Sequence, residues 1–280
     1  MTARARRPPA TGALWIVAVL LIGMVAAARS AEAEDALVSL AVPEGNLVAV
    51  GVGAYPDYLG SNDYSIGAVP LGRYQFRGRR DVTLLGNTLN VNLLDVPGWR
   101  FGPSAMLRFG RSDVDDEVVR RVHEVDPSID VGPFIGYTWV HPDEPRIRVG
   151  VRAWALWDVT DSHGGWTTGA SVFGSSPILK PLTLAGGVGT TYGSDSYMST
   201  QFSVTPADAL ASGLAVYRAD AALRDVRAWL LALLHLSKSW SAGGGVIYSR
   251  LADEAARSPV VSDRGSRDQF VYGIGAMYLW

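Results

Sequence analysis

The chain contains no cysteine, and this absence excludes several kinds of chemistry at once. Without thiols there is no disulfide, no thiolate metal site and no cysteine nucleophile. The chain also lacks an excess of positive charge, because its formal net charge is -2. The sequence therefore gives no reason to propose nucleic acid as a partner.

Long apolar runs are also scarce, and the one candidate lies at the N-terminus. A basic start that includes Arg6 and Arg7 precedes the apolar run 14–28, and the small-x-small sequence Ala31-Glu32-Ala33 follows it. This order predicts a secretory signal peptide, residues 1–33, cut after Ala33. An uncleaved anchor helix is the alternative, but the run is shorter than the roughly 20 residues that span a bilayer.

The remaining residues, 34–280, are predicted to form a single exported domain without a transmembrane helix. The chain has 31 glycines and 10% aromatic residues, as expected where many strands and tight turns are packed together. Its mean hydropathy of +0.12 is high for a soluble protein and low for a helical membrane protein.

Alternation along the last stretch, residues 270–280, indicates the fold. One face carries Tyr272, Ile274, Ala276, Tyr278 and Trp280. The other face carries Val271, Gly273, Gly275, Met277 and Leu279. Aromatics near both ends of one face suit a transmembrane β-barrel, where aromatic girdles mark the two interfaces. The last strand of a soluble sheet would show the same alternation, so the rest of the chain must decide.

Twelve segments have the composition of strands and are separated by turn residues. In chain order they are 47–55, 68–76, 82–85, 89–93, 99–109, 129–140, 146–157, 166–173, 182–192, 223–236, 240–251 and 270–280. The third and fourth are short and could instead be one long strand.

The connections between these segments sort into two sets. The long or polar set, which also contains one short member, is 57–65, 86–88, 111–126, 158–165, 193–220 and 252–268. The uniformly short set is 77–80, 94–98, 141–145, 175–181 and 237–239. Short turns at one end, long loops at the other and an even number of strands are typical of outer-membrane barrels. We therefore predict an all-β, antiparallel transmembrane outer-membrane β-barrel of about 12 strands with both termini in the periplasm.

A lipid-embedded barrel must also close on itself, because an open edge would leave backbone groups unsatisfied. The last stretch is therefore predicted to pair antiparallel with 47–55 and with 240–251. Its face with Tyr272 and Ala276 is predicted to meet lipid, so Ala276→Arg should be costly. Gly275 on the other face is predicted to tolerate arginine better if the lumen is wet.

The segment 223–236 is ambiguous, because its core is apolar on both faces and consists of good helix formers. Periodicity alone does not distinguish a helix from a strand here. The even strand count favours a strand. In that case its lumen face is unusually apolar, which argues against a wide water-filled pore along that wall.

Motifs along most of the mature chain resemble one family. They include Tyr55-Pro56-Asp57-Tyr58-Leu59-Gly60-Ser61-Asn62-Asp63-Tyr64, Tyr192-Gly193-Ser194-Asp195-Ser196-Tyr197-Met198, Tyr217-Arg218-Ala219-Asp220-Ala221-Ala222-Leu223-Arg224-Asp225-Val226, Tyr248-Ser249-Arg250-Leu251-Ala252-Asp253 and Ser258-Pro259-Val260-Val261. Their order and spacing resemble the MipA/OmpV family of Gram-negative outer-membrane proteins. The chain departs from the family pattern by ending on Trp280 rather than phenylalanine.

The resemblance implies a non-enzymatic outer-membrane barrel of the cell envelope, in contact with outer-membrane lipid and lipopolysaccharide. One family branch is described as a scaffold between a lytic transglycosylase and a penicillin-binding protein in peptidoglycan (murein) synthesis. Another branch is described as an adhesin. A small channel is a third hypothesis, because about twelve strands lie between filled eight-stranded barrels and open porins. The resemblance implies no catalytic, cofactor-binding or metal-binding residue.

Two groups of residues are candidates for chemistry. The first is the acidic run, which consists of Asp113, Asp115, Asp116 and Glu117. It could bind a divalent cation, but it lacks the glycine and terminal glutamate of an EF-hand, and a solvated loop is favoured.

The second candidate is His163, with Asp158, Asp161 and Ser162 beside it. These residue types could supply a base, an orienting carboxylate and a nucleophile. Turns favour the same residues, so catalysis is the weaker interpretation. The remaining histidines are His123, His141 and His235, which are scattered and suggest no metal site.

Two further segments concern binding. The long connection 193–220 contains Thr205-Pro206-Ala207-Asp208, which predicts a short capped helix. It could form a plug or cap, which is favoured, or a partner-binding surface. The basic turn with Arg77, Arg79 and Arg80 could bind phosphate or an acidic partner, although solvated turn residues are the default interpretation.

Overall fold

The protein is a closed barrel of twelve antiparallel strands. A computed structural model describes residues 45–112 and 114–280. The predicted signal peptide, residues 1–33, lies outside the described residues. Within the described part of the chain, no helix is both long and apolar enough to cross a membrane.

The twelve strands follow one another around the barrel in chain order. They are β1 Leu47–Pro56, β2 Tyr64–Arg77, β3 Arg80–Leu85, β4 Thr88–Asn92, β5 Trp99–Arg108, β6 Ser128–Val140, β7 Arg148–Asp158, β8 Trp166–Leu179, β9 Leu182–Gly193, β10 Ala222–His235, β11 Trp240–Leu251 and β12 Asp268–Leu279. The short β3 and β4 are separate strands, joined by a tight turn in which Gly86 has a positive φ of 55°.

The helices among the described residues lie in three of the connections. They are the 3₁₀ helix η1 Val119–Arg121, α1 Asp195–Phe202, α2 Pro206–Ser212, α3 Asp253–Arg257 and α4 Pro259–Ser262. The predicted sorting of connections is confirmed, because these helices all fall in the long set. We call the barrel end that carries them the loop end and the opposite end the turn end. The first residue of β1 and the last residue of β12 both lie at the turn end.

The barrel closes by pairing its first and last strands. β12 pairs antiparallel with β1, from Leu47 opposite Leu279 to Ala54 opposite Tyr272. On its other edge β12 pairs with β11, with Gly275 opposite Gly243. Both pairings were predicted and are confirmed. Closure leaves no free sheet edge, which a strand in hydrocarbon requires.

The outer surface of the barrel is apolar and carries aromatic side chains in two bands. Near the turn end, Trp99 contacts Tyr137 with ring centres 5.1 Å apart, and Trp240 contacts Tyr278 at 5.0 Å. Near the loop end the pairs are Tyr64–Tyr272, Trp166–Tyr192 and Tyr248–Phe270. Exposed aliphatic side chains lie between the bands, and Ile274 is 70% exposed. This is the surface of a barrel that sits in lipid.

The lumen has two chemically different walls. The inward residues of β10 are Trp229, Leu231 and Leu233 below the loop end, and β11, β12 and β1 continue this wall with glycine and aliphatic residues. The opposite wall, mainly β2 to β8, carries arginine, asparagine and serine. The ambiguous segment is thus a strand, and its lumen face is apolar, as predicted.

Two local expectations are wrong. The turn predicted at 175–181 is shorter, because β8 continues to Leu179 and Pro177 pairs with Thr183 beside a register shift. Proline is tolerated there because a shift near a strand end removes the need for its missing N–H.

The expected tolerance of arginine at Gly275 also fails. A Cβ placed there would lie 2.7 Å from the Val50 carbonyl oxygen and 2.9 Å from the Gly51 Cα. A side chain at Gly275 is opposed by the close approach of the β12 and β1 backbones. Water in the lumen would not change that distance.

The lipid-facing position of Ala276 predicts a large effect of charge. Ala276 lies between the two aromatic bands, so Ala276→Arg is expected to destabilise the barrel by about 2–4 kcal/mol. The measurement is the free energy of unfolding in phospholipid vesicles. Ala211→Arg, on the exposed surface of α2, is the matched control and should change little. Equal effects of the two substitutions would contradict the lipid-facing assignment.

Candidate functional site

Two apolar clusters fill the loop end. We call these clusters, together with η1 and α1–α4, the cap. One cluster is formed by Tyr197, Met198, Phe202, Ala219, Ala222, Leu251, Ala255 and Val261. The other is formed by Tyr58, Val114, Val119, Val122, Val204, Leu214 and Val260. Their members come from four different connections and from the adjoining strand ends. The segment 193–220 is therefore part of a packed cap over the barrel end.

Helix α2 begins where the sequence predicts it. The Thr205 side chain accepts a hydrogen bond from the Asp208 amide at 3.2 Å, and the Asp208 carboxylate accepts from the Thr205 amide at 2.9 Å. This reciprocal pair is a capping box, which satisfies two of the helix's free N–H groups. Gly213 ends the helix with a φ of 81°. The predicted short helix is confirmed.

Asp208 also fastens α2 to the neighbouring connection. His123 donates to its carboxylate from the backbone amide and from Nδ1, both at 2.8 Å. The other ring nitrogen of His123, Nε2, lies 3.0 Å from the Thr200 carbonyl oxygen. Both ring nitrogens of His123 therefore face hydrogen-bond acceptors.

The carboxyl group of Asp208 is strongly acidic in this setting. Burial by itself would raise its pKa, but hydrogen bonds from His123 and Thr205 outweigh burial and hold the pKa at about 2. Because folding lowers the pKa, the stabilisation is present above the unfolded pKa of about 4 and is lost as the pH falls through about 2.

Replacing this carboxylate should loosen the cap in a pH-dependent way. Asp208→Asn is expected to lose about 2 kcal/mol of cap stability at pH 5, and its difference from wild type should shrink towards pH 2. The measurement is the rate at which an acid-active protease cleaves the loop 194–221 between pH 5 and pH 2. Asp220→Asn, at an exposed surface pair, is the control. Equal cleavage of wild type and Asp208→Asn at pH 5 would refute the clamp.

On the side of the cap that faces the lumen, Tyr197 of α1 lies between two arginines of the barrel wall. Arg224 donates to its hydroxyl oxygen at 2.7 Å, and Arg108 does so at 3.5 Å. The two guanidinium groups lie 5.8 and 4.9 Å from the centre of the Tyr197 ring. All three residues are at most 1% exposed. Tyr197 therefore attaches the cap to the wall by hydrogen bonds and cation–π contacts.

Buried carboxylates neutralise most of the positive charge around Tyr197. Arg108 donates from Nε to Asp130 at 2.6 Å. Arg224 and Arg227 share Asp225, to which they donate from Nε at 2.7 and 3.1 Å. A buried pair of this kind is costly to form and more costly to break on one side only, because the remaining charge loses its partner.

Removing the Tyr197 hydroxyl tests its place in this network. Tyr197→Phe leaves two buried arginines with one acceptor fewer, at an expected cost of about 1–3 kcal/mol. The measurement is chemical unfolding in detergent micelles, followed by the protease sensitivity of the cap. Tyr192→Phe, on the lipid-facing surface of β9, is the control and should be close to neutral. Similar losses in the two variants would contradict the role given to Tyr197.

His163 belongs to this network rather than to a catalytic triad. Its Nδ1 accepts from the Gly165 amide at 3.0 Å, so the proton is on Nε2, which lies 3.1 Å from Asp130. Asp158 accepts from the backbone amide of His163 at 2.7 Å. Ser162 donates from Oγ to the Asp126 carbonyl at 2.6 Å and is thus directed away.

The fourth residue of that predicted group, Asp161, is exposed and has a positive φ of 59°. Within the predicted group, whose members are all described, neither Ser162 nor Asp161 is therefore placed as a nucleophile for His163.

Among residues 45–112 and 114–280, one group has the spacing of metal ligands. It consists of Asp130, Asp158 and His163, whose ligand atoms lie within 4.8 Å of one another. Asp130 is already bound to Arg108, Ser128 and His163. A cation would have to displace the Arg108 pair, so the geometry fits a hydrogen-bond network better than a metal centre.

The acidic run also has a structural role where it is described. Asp116 accepts from the side chain of Arg264 at 2.7 Å and from the amides of Val118 and Val119. Burial opposes ionisation of Asp116, but these hydrogen bonds prevail and lower its pKa. Asp115 and Glu117 are exposed, and Asp113 lies outside the described residues. Asp116 thus joins two loops of the cap.

The basic turn between β2 and β3 is organised by one carboxylate. Asp95 accepts from the Arg79 amide at 2.9 Å, and Arg80 donates from Nε to the Leu93 carbonyl at 3.0 Å. Arg77 is exposed at the turn end. The three arginines therefore lie at the rim of the barrel, outside the cap.

Sequence reasoning missed the buried network, whose members lie on different strands. Arg108, Asp130, Arg227 and Thr191 all point inward from strands near the loop end. Charged residues at inward positions of otherwise alternating strands are the signal that could have shown it. The pairing between them depends on register, which alternation alone does not set.

These features together define a class of protein. The sheet closes on itself, the exterior is apolar with two aromatic bands, and polar residues and a cap fill the loop end. Such a molecule is an outer-membrane β-barrel.

The particular family follows from the sequence. Residues 48–280 match the family described as MltA-interacting protein MipA. The chain belongs to this family, and the predicted resemblance is confirmed.

Several solved structures match most of the chain at low sequence identity. The NanC porin is 13% identical, with 83% of this chain and 100% of that chain covered and a TM-score of 0.49. OmpT of Vibrio cholerae is 9% identical, covers 84% and 96%, and has a TM-score of 0.38. The channel DcaP of Acinetobacter baumannii is 10% identical, with 84% and 96% covered and a TM-score of 0.38. No curated protein matches the chain.

Proposed function

We propose that this protein is a non-enzymatic docking protein of the outer membrane. In this proposal its turn end faces the periplasm and holds a lytic transglycosylase, with a penicillin-binding protein as a further partner. The observation that carries the proposal is the match to a family described by its interaction with MltA over residues 48–280. Short turns face the periplasm in outer-membrane barrels, so a murein enzyme would meet the turn end.

The charge of the turn end supports a docking role. Both lysines of the chain, Lys180 and Lys238, lie in its turns. Its other basic residues include Arg77, Arg79, Arg80 and Arg146, and its acidic residues include Asp95, Asp143 and Glu144. A predominantly basic rim favours a partner with an acidic face, since complementary charge speeds association and sets orientation. The turns are short, so we expect a flat contact that uses the whole rim.

The packed cap makes a channel the weaker candidate. Side chains such as Tyr197, Met198 and Phe202 are at most 1% exposed at the loop end. The same packing occupies much of the segment 193–220 that an adhesin would present. Neither alternative is favoured by a specific contact.

The proposal predicts that a murein-cleaving transglycosylase is recovered with the tagged barrel from solubilised envelopes. Reversing three exposed charges of the rim, Arg77→Glu, Lys180→Glu and Lys238→Glu together, should lower recovery by about tenfold, as three weakened charge pairs of about 0.5 kcal/mol each would. Reversing Arg121, Arg218 and Arg267 at the loop end is the matched control. Recovery of no transglycosylase above background, or equal loss in both triple variants, would overturn the proposal.

A further inference from the structure

The lumen below the cap contains two cavities that share part of their lining. The polar cavity has a volume of about 170 Å³ and reaches the turn end, where Arg79 and Arg148 contribute to its lining. The apolar cavity has a volume of about 240 Å³ and lies against β10–β12 and β1. Leu71 and Leu85 line both cavities. A single elongated molecule could therefore occupy both.

The polar cavity has an excess of positive charge. Five arginines line it, namely Arg73, Arg79, Arg100, Arg148 and Arg152, against one acid, Asp81. Asp81 is shared, because Arg100 contacts one of its oxygens and Arg73 lies 3.9 Å from the other. The arginines that line this cavity outnumber the acids that line it, so an anion would be attracted to it.

Arg152 gives the strongest indication of a missing partner. It contacts Asn90 through Nη2 at 2.5 Å and lies 4.7 Å from the centre of the Phe134 ring. Its Nε is buried and has no hydrogen-bond acceptor among the described residues. A buried donor without an acceptor is costly. Arg152 also lines the polar cavity, where a carboxylate or phosphate oxygen would accept a charge-assisted hydrogen bond from its guanidinium group.

The apolar cavity owes its space to glycine. The inward positions of β1, β11 and β12 include Gly51, Gly53, Gly243, Gly245, Gly273 and Gly275. Beside them on the neighbouring strand β10 are Trp229 and Leu231, which carry large side chains. Apolar walls of this kind favour a hydrocarbon chain over a sugar or a free inorganic ion.

We propose that the lumen binds a small amphipathic acid. Its carboxylate or phosphate group is held by Arg152 with Arg100 and Arg73, and its hydrocarbon chain lies in the glycine-walled cavity. The ligand enters from the turn end, because the cap closes the other end. This inference does not depend on the proposed docking function.

The test is calorimetric titration of the whole barrel in zwitterionic lipid nanodiscs, with empty nanodiscs subtracted. Octanoate and octyl phosphate are the probes; binding of either supports the proposal, and the tighter one identifies the acid group. Octanol and inorganic phosphate, which each lack one half of the ligand, should bind at least tenfold more weakly. From butyrate to octanoate, affinity should rise by about fourfold per methylene group.

The variant Arg152→Gln should weaken octanoate binding at least tenfold, while Arg121→Gln, at an exposed position of the cap, should leave it unchanged. The Arg152→Gln variant is expected to fold, because the substitution removes a buried charge that has no carboxylate partner. Octanol binding as tightly as octanoate, affinity independent of chain length, or equal binding by wild type and Arg152→Gln would each overturn the proposal.

Discussion

Backbone hydrogen bonding in hydrocarbon is the constraint on which this structure depends. A strand in lipid has no water to satisfy its N–H and C=O groups, and each unsatisfied group costs several kcal/mol. β12 must therefore find β1, and the pairing from Leu47 opposite Leu279 to Ala54 opposite Tyr272 provides the closure. Once the sheet is closed, alternation assigns every side chain either to lipid or to the lumen. The apolar exterior and the two aromatic bands follow from that assignment.

The lumen is subject to a different constraint, because its side chains are shielded from lipid but only partly from water. Near the loop end, charged residues are buried, and ion pairs and hydrogen bonds compensate for their burial. Arg108 with Asp130 and Arg224 with Asp225 are the clearest cases, with Nε–carboxylate distances of 2.6 and 2.7 Å. Tyr197 joins these pairs to the cap, so the apolar packing above and the polar network below support each other. Farther down, the arginines that line the polar cavity outnumber the acids that line it, which distinguishes the proposed binding region from the buried network.

Much of the fold was predictable because its determinants are local. Period-two alternation, turn residues and the lengths of connections each depend on neighbouring positions, so all twelve strands and the two sets of connections could be derived. The start of α2 was also local, since Thr205 and Asp208 are three residues apart. Even the strand character of 223–236 followed from the need for an even strand count rather than from its own composition.

The site was largely not predictable, because its contacts join distant residues. His123 and Asp208 are 85 positions apart, and Arg108 and Tyr197 are 89 apart. The backbone at Gly275 is a further example. The space available to a side chain there depends on how closely β1 approaches β12. His163 was grouped in sequence with Asp158, Asp161 and Ser162, but its Nε2 faces Asp130 on β6, and the Ser162 hydroxyl is directed elsewhere. Residue type indicated candidates for chemistry, whereas strand register determines what those residues contact.

The closure of β12 on β1 is the central claim, and the cysteine-free chain allows a direct test. Cysteines introduced at Val50 and Ala276, which are opposite each other across the seam, should form an intramolecular cross-link in outer membranes with a short bifunctional thiol reagent. A pair at Val50 and Val172, on strands that are not neighbours, should not. Efficient cross-linking of the first pair alone is the result that the closed barrel predicts. Failure of the first pair to cross-link, with both thiols shown to be reactive, would contradict it.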